Sequence, residues 1–214
     1  MTINIVGSDG SGKTTQIKLL MPWLQERYGM SVRLITKGDV MDKVKFPQCR
    51  YFGCSYKELA EELVPKMKGE SRSLFMFYLM AESICSQPPR EEEISVFDGY
   101  WHKNLATEAA LGVSFEWLKT VGAFFPAADV TILLQITPQE VVERNLEYNE
   151  YECGCKEISD ENFISNQTKV QEFLSCLAVS ENWNIVNGYG TVNEIQREIR
   201  EIVSKSCELV FASD

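Results

Sequence analysis

Residues 7–15 read Gly7-Ser8-Asp9-Gly10-Ser11-Gly12-Lys13-Thr14-Thr15. They fit the pattern G-x-x-x-x-G-K-[ST]. Glycines let such a segment curl until the N–H groups of Gly10, Ser11, Gly12, Lys13, Thr14 and Thr15 point inward at phosphate oxygens. A helix starting near Lys13 adds its positive end to the cradle. In this pattern the Lys13 ammonium reaches the β- and γ-phosphates of ATP, and the Thr14 hydroxyl ligates Mg²⁺. A second acidic residue, Asp98, ends the β-rich run Val96-Phe97-Asp98 and could hold the metal or its water. The chemistry implied is phosphoryl transfer, which asks for alignment and cations more than for covalent catalysis.

The elements that must position these groups follow from periodicity. Thr2–Val6, Ser31–Thr36, Ile94–Phe97, Val130–Ile136 and Trp183–Val186 are short apolar runs that read as buried strands. Lys13 to about Tyr28 carries apolar residues at helical spacing, and Pro22 predicts a kink. Further helices are expected over Tyr56–Met67 (with Pro65 near its end), Ser71–Ser86, Lys103–Leu111, Phe115–Ala123, a segment opened by Thr137-Pro138, Ser159–Leu177 and Val192–Ser204. Residues 38–57 lack periodicity and read as a substrate-facing loop region, while the polar, acidic residues 147–157 read as a mobile loop. Strands alternating with helices predict an α/β protein of three layers: a five-stranded parallel sheet with helices on both faces. Ligands in such sheets bind at the carboxyl ends of the strands. The loops after Val6, Thr36, Phe97 and Ile136 should therefore line the site.

The chain has 214 residues, 44% of them hydrophobic and 24% charged, an ordinary globular composition. Its formal charge of −10 argues against a nucleic-acid surface. The charge is uneven: residues 1–50 hold eight Lys/Arg against four Asp/Glu, so the basic excess coincides with the phosphate loop. No apolar run is long enough to span a bilayer, so no membrane association is expected. No secretory signal is visible, and seven cysteines, an odd number, suit reduced thiols in the cytoplasm. Cys153-Gly154-Cys155 is too closely spaced for the usual Cys-x-x-Cys ligand pair and reads as two loop thiols. The lone His102 excludes a multi-histidine zinc site and is expected to be structural or exposed.

Several segments together resemble the thymidylate kinase family of P-loop nucleoside-monophosphate kinases. Asp9-Gly10-Ser11-Gly12-Lys13-Thr14-Thr15-Gln16 is similar to the family's phosphate loop, and Thr36-Lys37-Gly38 stands where the family has a strand-end basic residue. Phe97-Asp98-Gly99-Tyr100 resembles the family's Asp-Arg-Tyr segment, and Ala128–Leu134 its fourth strand. Thr137-Pro138 with Val142-Glu143-Arg144, then Phe163–Leu177 and Ile185-Val186-Asn187, match in pattern. The resemblance spans nearly the whole chain. It implies a single P-loop kinase domain over 1–214, with a short lid at approximately 146–158.

The resemblance also implies roles. Asp9 would face the acceptor's sugar hydroxyl, Lys37 and Lys103 would neutralise its phosphate, Phe75 and Tyr78 would stack its base, and Tyr100 would stand in the acceptor site. Arg144, with Lys156, would close from the lid side, and Asn187-Gly188 would lie near the adenine. The implied activity is ATP-dependent conversion of dTMP to dTDP in nucleotide biosynthesis, and a homodimer is expected. Three departures stand out. Gly99 occupies the place of an acceptor-site arginine, Glu82 falls at another arginine position, and the lid is acidic with Lys156 its only cation. Each lost Arg–phosphate pair removes about 1.5–3 kcal/mol. Lys37, Arg72 and Lys103 are the candidate replacements. The departures leave open a kinase of the same fold acting on another phosphorylated or hydroxyl-bearing metabolite, or a non-catalytic nucleotide-binding homologue.

Overall fold

β-Branched and aliphatic residues alternate between two covered faces of one sheet, and this alternation sets the architecture. The computed structural model describes residues 1–50, 52–144 and 147–211. Five strands, β1 (Thr2–Val6), β2 (Ser31–Ile35), β3 (Glu93–Asp98), β4 (Val130–Gln135) and β5 (Asn184–Asn187), form a parallel sheet in the order β2-β3-β1-β4-β5. Ile3 pairs with Val96 on one side and Val130 on the other, so β1 is central. Ile3 and Ile5 point to the face covered by α1 (Lys13–Tyr28) and α8 (Val192–Phe211), meeting Ile17, Leu20, Leu24, Ile199 and Val203. Asn4 and Val6 point to the opposite face. There α4 (Tyr100–Ala110) and α7 (Asp160–Ser180) pack as a pair, flanked by α3 (Gly69–Ser86) and α5 (Phe115–Gly122). The fold is therefore the three-layer P-loop architecture expected from the sequence.

Differences lie where local signals compete. α1 runs unbroken through Pro22. The helix expected over Tyr56–Met67 instead splits into a single turn α2 (Tyr56–Glu58), a wider turn at Leu59–Leu63 and a tight turn at Val64–Lys66. Pro65 supplies no N–H to continue the ladder. The helix opened by Thr137 is the short α6 (Pro138–Glu143), with the Thr137 hydroxyl accepting from the Glu140 N–H. Residues Asn145 and Leu146 lie outside the described residues, so the expected start of the lid at 146 does too. Residues 38–57 carry short turns at Asp39–Met41 and Pro47–Cys49 and bury Val40, Phe46 and Cys49 against α3.

His102 is buried and structural. Its ring stacks on Trp101 with centroids 3.8 Å apart and meets the edge of Trp183 at 4.7 Å. Nδ1 pairs with the Asn4 amide at 3.2 Å, and Nε2 faces Glu181 at 3.4 Å. Burial pushes its pKa down, against the pull of Glu181. No described helix is long and apolar enough to cross a membrane.

The face around Trp101 is tightly packed. A Cβ added at Gly122 would sit 2.2 Å from the Trp101 ring. Gly122→Ala is therefore expected to lower stability by about 1–3 kcal/mol, read as a lower midpoint of thermal unfolding.

Candidate active site

The carboxyl ends of β1 and β3 deliver the phosphate loop and Asp98 to one cavity of about 630 Å³. Gly12 caps α1 in the left-handed region at φ 94°, a conformation only glycine adopts without strain, and the loop curls there into the helix. The Lys13 ammonium folds back on the Ser8 carbonyl at 2.7 Å. Burial pushes its pKa down, although Asp9 opposes the shift. The Thr14 hydroxyl donates to Asp98 Oδ2 at 3.2 Å. A hydroxyl and a carboxylate oxygen in contact beside a phosphate cradle are hard donors that suit Mg²⁺. This contact joins two residues far apart in sequence at the place where the motif requires them.

Asp9 is the centre of the cavity's charge. Its Oδ2 accepts from Lys103 Nζ at 2.8 Å and from Gln167 Nε2 at 3.1 Å. Burial raises its pKa, but Lys103 and then Lys13 outweigh that effect, and the carboxyl titrates below its ordinary value. Lys103 also reaches the Thr107 hydroxyl at 3.2 Å. Lys37 donates to the Asn104 amide oxygen at 2.7 Å, and burial lowers its pKa. Lys13, Lys37 and Lys103 therefore line one cavity together with Asp9, Gly10, Thr14 and Asp98.

Lys103 reaches this position because of Gly99. Gly99 has φ 76°, and a Cβ there would lie 2.9 Å from Lys103 Cβ. Residue 99 therefore leaves the space to the side chain one turn later. Lys103, a candidate replacement for the arginine missing at 99, stands in the cavity.

Away from the phosphate loop the cavity is closed by Tyr56, Val64, Met76, Thr107 and Tyr151. None of these was singled out in the sequence, where α3 is apolar on more than one side. The phase of α3 turns Met76 inward. Phe75 packs instead on Phe52 at 5.9 Å. Tyr78 is 38% exposed, with its hydroxyl 3.8 Å from Cys49 Sγ. Tyr100 is also outside the cavity. At φ 46°, directly after Gly99, its ring turns back to stack on Phe97 at 4.1 Å, and its hydroxyl donates to the Pro126 carbonyl. These three side chains do not line the cavity, contrary to the expectation that they bind the acceptor.

Arg72 does not supply a replacement cation. It is buried, and its Nε donates to both oxygens of the fully buried Glu108 at 2.9 and 3.0 Å. Arg144 and Asn187 lie on the outer edge. Arg144 donates to the Gly188 carbonyl at 3.1 Å, and Asn187 accepts from the Tyr189 N–H at 2.9 Å. Neither lines the cavity. Glu82 accepts from Gln48 and Ser86, also apart from it.

Residues 147–157 were expected to be a mobile loop, but they are pinned. The Tyr151 hydroxyl donates to Glu108 at 2.7 Å, and the Glu152 carbonyl accepts from Asn166 and Gln167 at 3.0 and 2.9 Å. Cys153 is buried, and Cys155 Sγ accepts from Arg72 at 3.3 Å. Among the described residues no cluster of His, Cys, Asp and Glu is arranged to hold a metal. Lys156 is exposed.

The acidic lid therefore brings Glu152, not a cation, to the phosphate side of the cavity. Burial and then Asp9 push its carboxyl pKa up to about 7. A carboxyl raised in the folded state favours folding at low pH and loses that contribution as pH rises through the window from about 4.5 to about 7. Glu152→Gln is accordingly expected to raise the unfolding midpoint at pH above about 7, with the advantage shrinking towards pH 4.5. Paired melts of wild type and variant across that range test the sign.

No protein-family model matches the chain. A probable thymidylate kinase of Pyrococcus abyssi is 28% identical over 205 residues, covering 92% of each chain. A probable thymidylate kinase 1 of Saccharolobus solfataricus is 25% identical over 208 residues, covering 95% of this chain and 97% of its own. The crystal structure of thymidylate kinase from Ehrlichia chaffeensis superposes with a TM-score of 0.64 over 95% of this chain and 98% of its own. At 15% identity that likeness speaks for the fold. This chain is thus similar in sequence, over nearly its whole length, to probable thymidylate kinases, and in fold to a thymidylate kinase.

Proposed function

We propose that the chain transfers the γ-phosphoryl group of ATP to a nucleoside monophosphate, with dTMP as acceptor and dTDP as product. The observation that carries this reading is the continuity of one cavity. Lys13 and the Thr14–Asp98 pair stand at one end, Tyr56, Val64 and Met76 at the other, and Asp9 with Lys103 between them.

In this reading the N–H groups of residues 10–15 hold the phosphates of ATP, and Lys13 leaves the Ser8 carbonyl to meet them. Thr14 and Asp98 would hold Mg²⁺, which would offset the negative charge of the phosphates. An oxygen of the acceptor's phosphate attacks the γ-phosphorus. The bond to the β–γ bridging oxygen breaks, and ADP leaves with that oxygen's electron pair. A phosphate acceptor is already anionic near neutral pH, so no general base is required. Lys37 and Lys103 neutralise the acceptor phosphate, and Asp9 orients Lys103 and the acceptor's sugar. Tyr56, Val64, Met76 and Thr107 replace Phe75 and Tyr78 around the base. Arg144 and Asn187 belong to the adenine edge, where Gly188 joins them.

Residues 1–214 then act as one kinase domain in the cytoplasm, with the lid formed by the pinned segment that ends near 158. Exposed apolar side chains at Leu74 and Phe124 support a homodimer. Sedimentation equilibrium tests the dimer.

Lys13→Ala is expected to lower turnover by at least about a hundredfold with an unchanged melting midpoint. Asp98→Asn is expected to raise the Mg²⁺ concentration needed for half-maximal rate. A coupled ADP-release assay over a panel of nucleoside monophosphates reads both. Absence of dTMP turnover by the wild type would overturn the proposed activity.

A further inference from the structure

Gln167 on α7 is fully buried and does not line the cavity, yet it touches both sides of it. Its Oε1 accepts from the Asp9 N–H at 3.0 Å. Its Nε2 donates to Asp9 Oδ2 at 3.1 Å and to the Glu152 carbonyl at 2.9 Å. The amide is thus used in one sense only, because a reversed amide would turn its oxygen onto two acceptors. The Asn166 amide donates to the same carbonyl at 3.0 Å, so two neighbouring side chains fix one point of the lid. On the other side, Asp9 Oδ2 is held between Gln167 and Lys103.

The geometry points to Gln167 as a positioning residue that couples the lid to the Asp9–Lys103 pair. One rigid, buried amide reads the backbone and the carboxylate of Asp9 and at the same time the height of the lid at Glu152. The lid settles over the cavity only when Asp9 is in register, and Asp9 keeps Lys103 aimed only while the lid is down. The catalytic part of this role rests on the kinase reading above, whereas the mechanical coupling is a property of the chain without substrate. On the opposite side Tyr151, Glu108 and Arg72 tie the lid to α3 and α4 instead.

Two full-length variants test this. Gln167→Met keeps the length of the side chain and removes its three polar contacts. Gln167→Glu keeps the shape, and its carboxyl faces Asp9, Lys103 and Lys13 from the cavity side and Glu152 from the lid. Ionised, that carboxyl meets the Asp9 carboxylate and the Glu152 carbonyl with no donor. Protonated, it again offers one O–H donor and one acceptor. Hydrogen exchange of amides 149–155, measured without nucleotide, is expected to speed up in Gln167→Met. With ATP and dTMP, kcat is expected to fall by about tenfold or more while the KM for ATP stays within about twofold. The rate of Gln167→Glu relative to wild type is expected to recover as pH falls from about 8 to about 6, and that of Gln167→Met is not. A purely structural defect would lower the melting midpoint of both variants with no recovery. Unchanged lid exchange, an unchanged kcat or a flat pH ratio for Gln167→Glu each overturns the coupling. If the wild type does not turn over dTMP, the kinase reading fails, and the exchange measurement alone still decides whether Gln167 ties the lid to Asp9.

Discussion

A carboxylate buried in a cavity keeps its charge only while a cation lies against it, and in this chain that carboxylate is Asp9. The Lys103 ammonium lies on it at 2.8 Å, and Lys13 lowers its pKa further. The loop shape, the helix that presents Lys103 and the buried amide of Gln167 all serve this one neutralised pair. Without it, the low-dielectric cavity would favour a protonated Asp9, and Lys103 would have no fixed direction. The pair also joins the loop after β1 to α4, so the Lys13 side and the Met76 side of the cavity share a charge rather than merely a wall.

The cations that line the cavity are lysines. A guanidinium binds phosphate with a planar fork, whereas an ammonium is a compact, strongly hydrated point charge. Lys13, Lys37 and Lys103 are each held by a fixed acceptor: the Ser8 carbonyl, the Asn104 amide oxygen and the Asp9 carboxylate. The directions of Lys37 and Lys103 are thereby set in the empty cavity, which supplies by preorganisation some of what a fork supplies by shape. Arg72 is taken up by the buried Glu108, which ties α3, α4 and the lid together.

Much of this was readable in the sequence because its causes are local. The loop from Gly7 to Thr15, the strand-ending Asp98 and the five apolar runs are short patterns whose meaning does not depend on distant packing. What was not readable has a physical reason in each case. α3 carries Phe75, Met76, Phe77 and Tyr78 in succession, so its periodicity cannot say which side meets the cavity; packing against α4 and the 38–66 segment decides for Met76. Tyr100 looked like a ligand contact, but consecutive positive φ angles at Gly99 and Tyr100 fold its ring into the core. The acidic lid read as a solvated loop because its partners, Glu108, Asn166 and Gln167, are residues of other helices. Glu152 and Asp9, far apart in the chain, become neighbours only through that docking.

The contact between Gly99 and Lys103 has a consequence for how such a site can change. Residue 99 has no room for a Cβ while Lys103 keeps its own. A side chain installed at 99 presses on the stem of Lys103, and a trimmed 103 removes the ammonium that lies on Asp9. Either change disturbs the same ion pair. Residue 99 is thus held to glycine twice over, by its own backbone angle and by the neighbour whose charge it leaves room for.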